Sequence, residues 1–229
     1  MRQLIVATGN MDKLREIREI LNDPELEILS MKEAGISADI VEDGSSFAEN
    51  AAIKAGAVAK ASGRMALADD SGLVIDCLRG EPGIYSARYM GRNTSYDEKN
   101  RNLIDRVNDF CRGYEAAAGK ESGSFPGCGE NGNPGPLRAA RFVCAVCAAW
   151  PDGTMKSAEG RMEGRIAYRQ AGENGFGYDP IFFLPEYGRT SAEISEAEKN
   201  AISHRGKAFR AMREILQRMG ALSGAGGAS

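Results

Sequence analysis

The stretch Met65–Asp76, MALADDSGLVID, begins as a buried strand does, with alternating small and apolar residues. It then sets two carboxylates, Asp69 and Asp70, side by side before Ser71 and Gly72. A buried carboxylate without a partner costs several kcal/mol or protonates, so the pair calls for a counter-charge. Successive strand residues face opposite ways, so the two aspartates reach one ligand only if the strand is already turning. Two readings stand at this point. The Asp-Ser-Gly run closes the strand with a turn, or Asp70 joins a second carboxylate from elsewhere, such as Glu42, as the protein's share of a Mg2+ site.

Upstream, RQLIVAT reads as a strand broken by Gly9-Asn10, and MDKLREIREILN has helical spacing with Leu14, Ile17, Ile20 and Leu21 on one face. LEILSM is a second strand. SSFAENAAIKAGAVAKASG is a helix opened by the capping-box pattern Ser46-x-x-Glu49. Downstream come a Gly/Pro-rich loop, a helix from about Ser95 to Cys111, strands near 140–149 and 154–162, the strand IFFLP, and a closing helix from about Ser203 to Met219. Strands and helices mix without strict alternation, which predicts an α/β class with α+β character around a mixed sheet. Residues 119–136, GKESGSFPGCGENGNPGP, are too polar and too rich in glycine and proline to hold one conformation, and predict a flexible surface insertion. The tail 219–229 reads the same way, leaving 1–218 as one domain.

The 229 residues suffice for one large domain or two small lobes, and 42% apolar with 27% charged is ordinary for a globular chain. A net charge of −3 gives no general attraction to nucleic acid polymers or anionic membranes, so any bound polyanion needs a local basic pocket. No apolar run approaches the roughly 20 residues that span a bilayer, and the N-terminus lacks a secretory signal pattern. Five cysteines, an odd number, favour reduced thiols and a cytoplasmic setting. Cys144 and Cys147 lie three apart in the apolar run ARFVCAVCAAW, so on a strand they point to opposite faces and make a poor metal clip. A single histidine, His204, excludes zinc sites built on several histidines.

Three further stretches carry chemistry-bearing residues. Thr8, Gly9, Asn10, Met11, Asp12 and Lys13 form a strand–turn–helix junction, where backbone N–H groups and a helix dipole suit an anion; the alternative is an ordinary turn with a surface lysine. In ENGFGYDPIFF, Phe176 and Tyr178 flank Gly177 and precede Asp179, a stacking platform with an acid beside it, unless the rings fold back into the core. In EAEKNAISHRGKAF, Ser203 reads as an N-cap, which places His204 and Arg205 in a first turn where cations oppose the helix dipole. A bound anion or carbonyl oxygen would offset that cost, and Lys199 stands just upstream; surface charges without a role are the alternative.

Taken in order, TGNMDK, ENAAIKA, ADDSGLVID, PGIYSARY, GFGYDPIFF and EKNAISHRGKA closely resemble the inosine triphosphate pyrophosphatase family, from residue 1 to about 218. The resemblance implies an elongated mixed sheet in two lobes with a central cleft. It implies hydrolysis of ITP, dITP and XTP to the monophosphate and pyrophosphate, with Mg2+, in a homodimer. By motif, Thr8 to Lys13 hold the phosphates, Asp70 accepts a proton and binds metal with Glu42, and Ser71 contacts substrate. Phe176, Gly177, Tyr178, Asp179, Lys199, His204 and Arg205 complete the nucleotide site, with Lys54 a further candidate phosphate contact. Asp69 is expected to turn away from Asp70 and hold a bend. The family often carries tryptophan at the position of Tyr178.

Overall fold

A computed structural model describes residues 2–119, 126–129 and 132–222. Seven strands form one sheet in the order β2-β1-β3-β4-β5-β6-β7. They are β1 (Arg2–Val6), β2 (Leu26–Ser30), β3 (Ala66–Ile75), β4 (Ala139–Ala149), β5 (Met155–Ile166), β6 (Phe182–Leu184) and β7 (Arg189–Thr190). The helices are α1 (Met11–Leu21), α2 (Phe47–Ser62), α3 (Tyr96–Ala117), α4 (Glu196–Ile202) and α5 (His204–Arg218). β1 pairs in parallel with both β2 and β3, whereas β6 pairs antiparallel with β5 and β7, so the sheet is mixed and the fold is α/β.

The chain divides into two compact units, and β3, β4 and β5 contribute residues to each. The first comprises Met1–Ser71, Val143–Arg161 and Ile202–Ser229. Its strands are covered on both faces, and the period-2 alternation of side chains sorts them into two cores. Leu4, Val6, Leu67, Cys144 and Val146 pack with Leu14, Ile17 and Leu21 of α1 and with Phe209, Met212 and Leu216 of α5. Ile5, Ala66, Ala68, Ala145, Cys147 and Ala149 pack on the other side with Ala51, Ala55, Val58 and Ala59 of α2. Cys144 and Cys147 therefore sit in opposite cores, as their spacing predicts. Small residues on α2 bring it close to the sheet.

The second unit, Gly72–Phe142 and Met162–Ala201, is built around α3, whose Leu103, Ile104, Val107 and Cys111 are buried. Ser95 and Glu98 form a reciprocal capping box at its start. The fully buried Arg138 donates to the carbonyls of Ile166 and Ala167 (2.7 and 2.9 Å), to that of Pro126 (2.8 Å) and to Asn108 Oδ1 (2.7 Å).

Expectations about the ends of elements change. β3 does not end at the aspartates: it runs on through Ser71 and Gly72 to Ile75, because its residues are buried on both faces on either side of the pair. At α2 the Ser46 side chain accepts the Glu49 N–H as expected, but the Glu49 carboxylate accepts from the N–H and hydroxyl of Ser45 rather than closing the box on Ser46. Of the expected insertion at 119–136, residues 120–125, 130 and 131 lie outside the described residues, as do 223–229 of the tail. Elsewhere in these segments specific partners exist that composition does not reveal. The Gly127 N–H donates to Glu115 (2.8 Å), the Gly135 N–H donates to the Gly127 carbonyl (2.7 Å), and Leu222 is buried in the first unit's core.

Candidate active site

The side-chain alternation of β3 decides the site. Asp69 follows Leu67 onto the side of α1 and α5, whereas Asp70 follows Ala66 and Ala68 onto the side of α2. Each carboxylate finds the counter-charge its burial demands, from different helices.

Asp69 is 1% exposed. Lys13, in the first turn of α1, places its ammonium 3.0 Å from Asp69 Oδ2, and Arg205 Nη2 lies 3.5 Å from the same oxygen. The Ser71 hydroxyl donates to Asp69 (3.2 Å) and accepts from Arg205 Nη2 (2.9 Å), and the Cys144 thiol lies 3.9 Å away in the core. Burial pushes the Asp69 carboxyl up, but Lys13, Arg205 and Lys54 together outweigh it and hold it well below the usual carboxylate range. Arg205 also forms a short ion pair through Nη1 with Glu16 of α1, itself 2% exposed.

Asp70 lies in the other core. It accepts from Asn50 Nδ2 (3.2 Å) and stands 3.3 Å from Lys54 Nζ, which also holds Glu42 Oε2 at 2.9 Å. Burial raises the Asp70 carboxyl above its ordinary value, opposed by Lys54, Lys13 and Asn50 and reinforced by Glu42. Burial alone would lower the Lys54 ammonium, yet the charges of Asp70, Asp69 and Glu42 and the hydrogen bond to Glu42 leave it raised. Asn50 and Lys54 sit four apart on α2 and so share one helix face.

The α1 junction adds an ordered N-terminus. Asn10 caps the helix by accepting the N–H groups of Asp12 and Lys13 (2.9 and 3.2 Å), and the Thr8 hydroxyl accepts the Asn10 N–H (3.2 Å). Ser203 caps α5 through the Gly206 N–H (2.9 Å). His204 and Arg205 then occupy the first turn as expected, but both are buried, and Glu16 and Asp69 supply Arg205's counter-charge.

In the second unit, Asp179 and Lys199 are buried and paired at 2.6 Å, and Asp179 also accepts from the Phe176 N–H (2.8 Å) and the Ser191 hydroxyl (2.8 Å). Lys199 Nζ lies 5.0 Å from the centroid of the half-buried Phe176 ring. Tyr178 overturns the expectation of an open platform: it is 4% exposed, donates to the Ser86 carbonyl (2.7 Å) and packs edge-on against Tyr96. A phenol can end its hydrogen bond on a carbonyl deep in the fold, so the ring turns inward.

Among the described residues no three His, Cys, Asp or Glu side chains group to hold a metal. Glu42 and Asp70 nevertheless converge on one ammonium, an arrangement of two hard oxygen donors with a cation between them. That donor set fits Mg2+, which takes one or two carboxylates and fills its octahedron from water and phosphate.

The sequence and the mixed α/β fold have counterparts among known proteins. The Ham1 family model matches residues 4–119 and 129–215, and the chain belongs to that family. It is 42% identical over 217 residues to the dITP/XTP pyrophosphatase of Bacillus subtilis (95% of this chain, 98% of the relative) and 40% identical over 217 residues to that of Desulforamulus reducens (95% and 96%). Among solved structures, the Ham1 proteins of Staphylococcus aureus and Coxiella burnetii superpose with a TM-score of 0.75 each, at 34% and 37% identity. Each covers 95% of this chain and is itself covered in full.

Sequence reasoning missed Glu16 and Asn50. Glu16 shows a faint signal, a charged residue between Leu14 and Ile17 on the buried face of α1. Asn50 shows one only through its four-residue spacing from Lys54.

Proposed function

We propose that this chain hydrolyses the deaminated purine nucleoside triphosphates ITP, dITP and XTP to the monophosphate and pyrophosphate. The observation that carries the reading is the environment of Asp70: a carboxylate of raised basicity, fixed by Asn50, beside Lys54 and Glu42. Such a group can orient a water and take its proton as the water attacks the α-phosphorus. Glu42 and Asp70 would hold Mg2+, which when bound neutralises charge on the phosphates. Lys13 and the N-terminal N–H groups of α1 supply positive potential for the departing pyrophosphate. Ser71 is engaged by Asp69 and Arg205. We therefore assign Arg205 to holding Asp69 and Ser71, and His204 to hydrogen bonding with the nucleotide. In the second unit we assign purine stacking to Phe176 and withdraw it from Tyr178.

The relatives' names as dITP/XTP pyrophosphatases support this substrate class. A homodimer in the cytoplasm completes the proposal. It rests on the resemblance and on five cysteines that are all free thiols.

Incubating the pure protein with ITP and Mg2+ should release inosine monophosphate and pyrophosphate. Asp70→Asn should lower turnover by about 10²–10⁴-fold with the fold intact by circular dichroism. Orthophosphate as the only inorganic product, or a near-normal rate in that variant, contradicts the assignment.

A further inference from the structure

The position of Lys54 carries a consequence beyond the reaction itself. Its side chain is 11% exposed, and its ammonium lies 2.9 Å from Glu42 and 3.3 Å from Asp70, the two carboxylates assigned to metal. An ammonium and a divalent cation cannot both occupy the space between one pair of carboxylates, because their like charges repel at that range. Lys54 belongs to a helix anchored by Ala51, Ala55, Val58 and Ala59, and a lysine carries its charge on a four-carbon stem with several rotatable bonds.

We propose, on the reading that Glu42 and Asp70 bind Mg2+, that Lys54 is the cation these two carboxylates hold before metal binds and is exchanged for the metal. Without metal it neutralises Glu42 and Asp70 and keeps two carboxylates from facing each other unpaired. When metal enters, the ammonium gives up both oxygens and turns to the phosphates of the incoming nucleotide. The same side chain thereby weakens metal binding alone and strengthens it once phosphates are present to receive the displaced charge. Metal and triphosphate then assist each other's binding through Lys54, a reciprocal coupling between two ligands. The step moves no covalent bond: one ammonium exchanges carboxylate oxygens for phosphate oxygens.

Two measurements without nucleotide test this, so their outcome is separable from whether the chain hydrolyses ITP. By titration calorimetry with MgCl2, Lys54→Met should bind Mg2+ more tightly than the unaltered chain, by a factor on the order of 10. A merely structural lysine would leave the affinity unchanged or weaken it. In the unaltered chain, acetic anhydride labelling read by mass spectrometry should find Lys54 protected without metal and several-fold more reactive at saturating Mg2+, with the exposed Lys60 as internal reference. Equal or weaker Mg2+ binding by a folded Lys54→Met overturns the proposal. So does Lys54 labelling that stays constant through the titration, a result that stands even if the variant fails to fold.

Discussion

Asp69 and Asp70 share a chemistry and a strand, and their surroundings drive their protonation in opposite directions. Lys13 and Arg205 hold Asp69 ionised against its own burial, whereas burial prevails at Asp70. The depressed pKa of Asp69 stabilises the fold above the unfolded-state value of about 3.9, and that contribution is lost as pH falls through the lower folded value. Removing one partner of a buried ion pair costs about 3–5 kcal/mol. Asp69→Asn should therefore destabilise the chain by about that amount at pH 7, and the gap from the unaltered chain should narrow as pH drops below about 4. Urea unfolding at a series of pH values checks both. Asp70 has the opposite sign: its raised pKa favours folding below the unfolded value, and that advantage disappears as pH rises through the folded one. Asp70→Asn should thus leave stability at pH 7 unchanged or higher, a result that separates a carboxylate kept for chemistry from one kept for the fold. The need for counter-charges was legible in the adjacency of the two aspartates; their source was not. Glu16, Asn50, Lys54 and Arg205 lie 16 to 136 positions away, and only tertiary packing brings them together.

At the scale of elements, the N-termini of α1 and α5 depend on what lies behind them. Gly160 of β5 faces the start of α5 so closely that an added Cβ would lie 2.2 Å from the His204 carbonyl oxygen and 2.6 Å from the Ala208 nitrogen. Both are backbone atoms and cannot swing aside. Gly160→Ala should cost about 1–3 kcal/mol by overpacking and displace the turn carrying His204 and Arg205. Thermal unfolding reads the first effect, and reduced turnover at unchanged secondary structure reads the second. The strands and helices were legible because their periodicities are local. α1 and α5 begin where their capping residues Asn10 and Ser203 place them. α3 runs to Ala117, beyond the expected end near Cys111: it continues through Gly113 and stops before Gly119, whose φ of +67° suits a helix end. The inward turn of Tyr178 was not legible. A tyrosine beside glycine has the same local pattern whether it faces water or a buried carbonyl, and Ser86, which decides between them, lies 92 residues away.

For the whole molecule, a net charge of −3 coexists with a cluster of Lys13, Lys54 and Arg205 around the two aspartates of the first unit. The average charge conceals the potential a triphosphate would meet, since fields are set by local arrangement and not by net charge. No helix among the described residues is long and apolar enough to cross a membrane. The family match leaves out residues 120–128, inside the stretch whose composition sets it apart from its flanks. The central claim is that water attacks the α-phosphorus, and hydrolysis of ITP in ¹⁸O-labelled water tests it most directly. The label should appear in inosine monophosphate and not in pyrophosphate; label in pyrophosphate or in released orthophosphate would contradict the account.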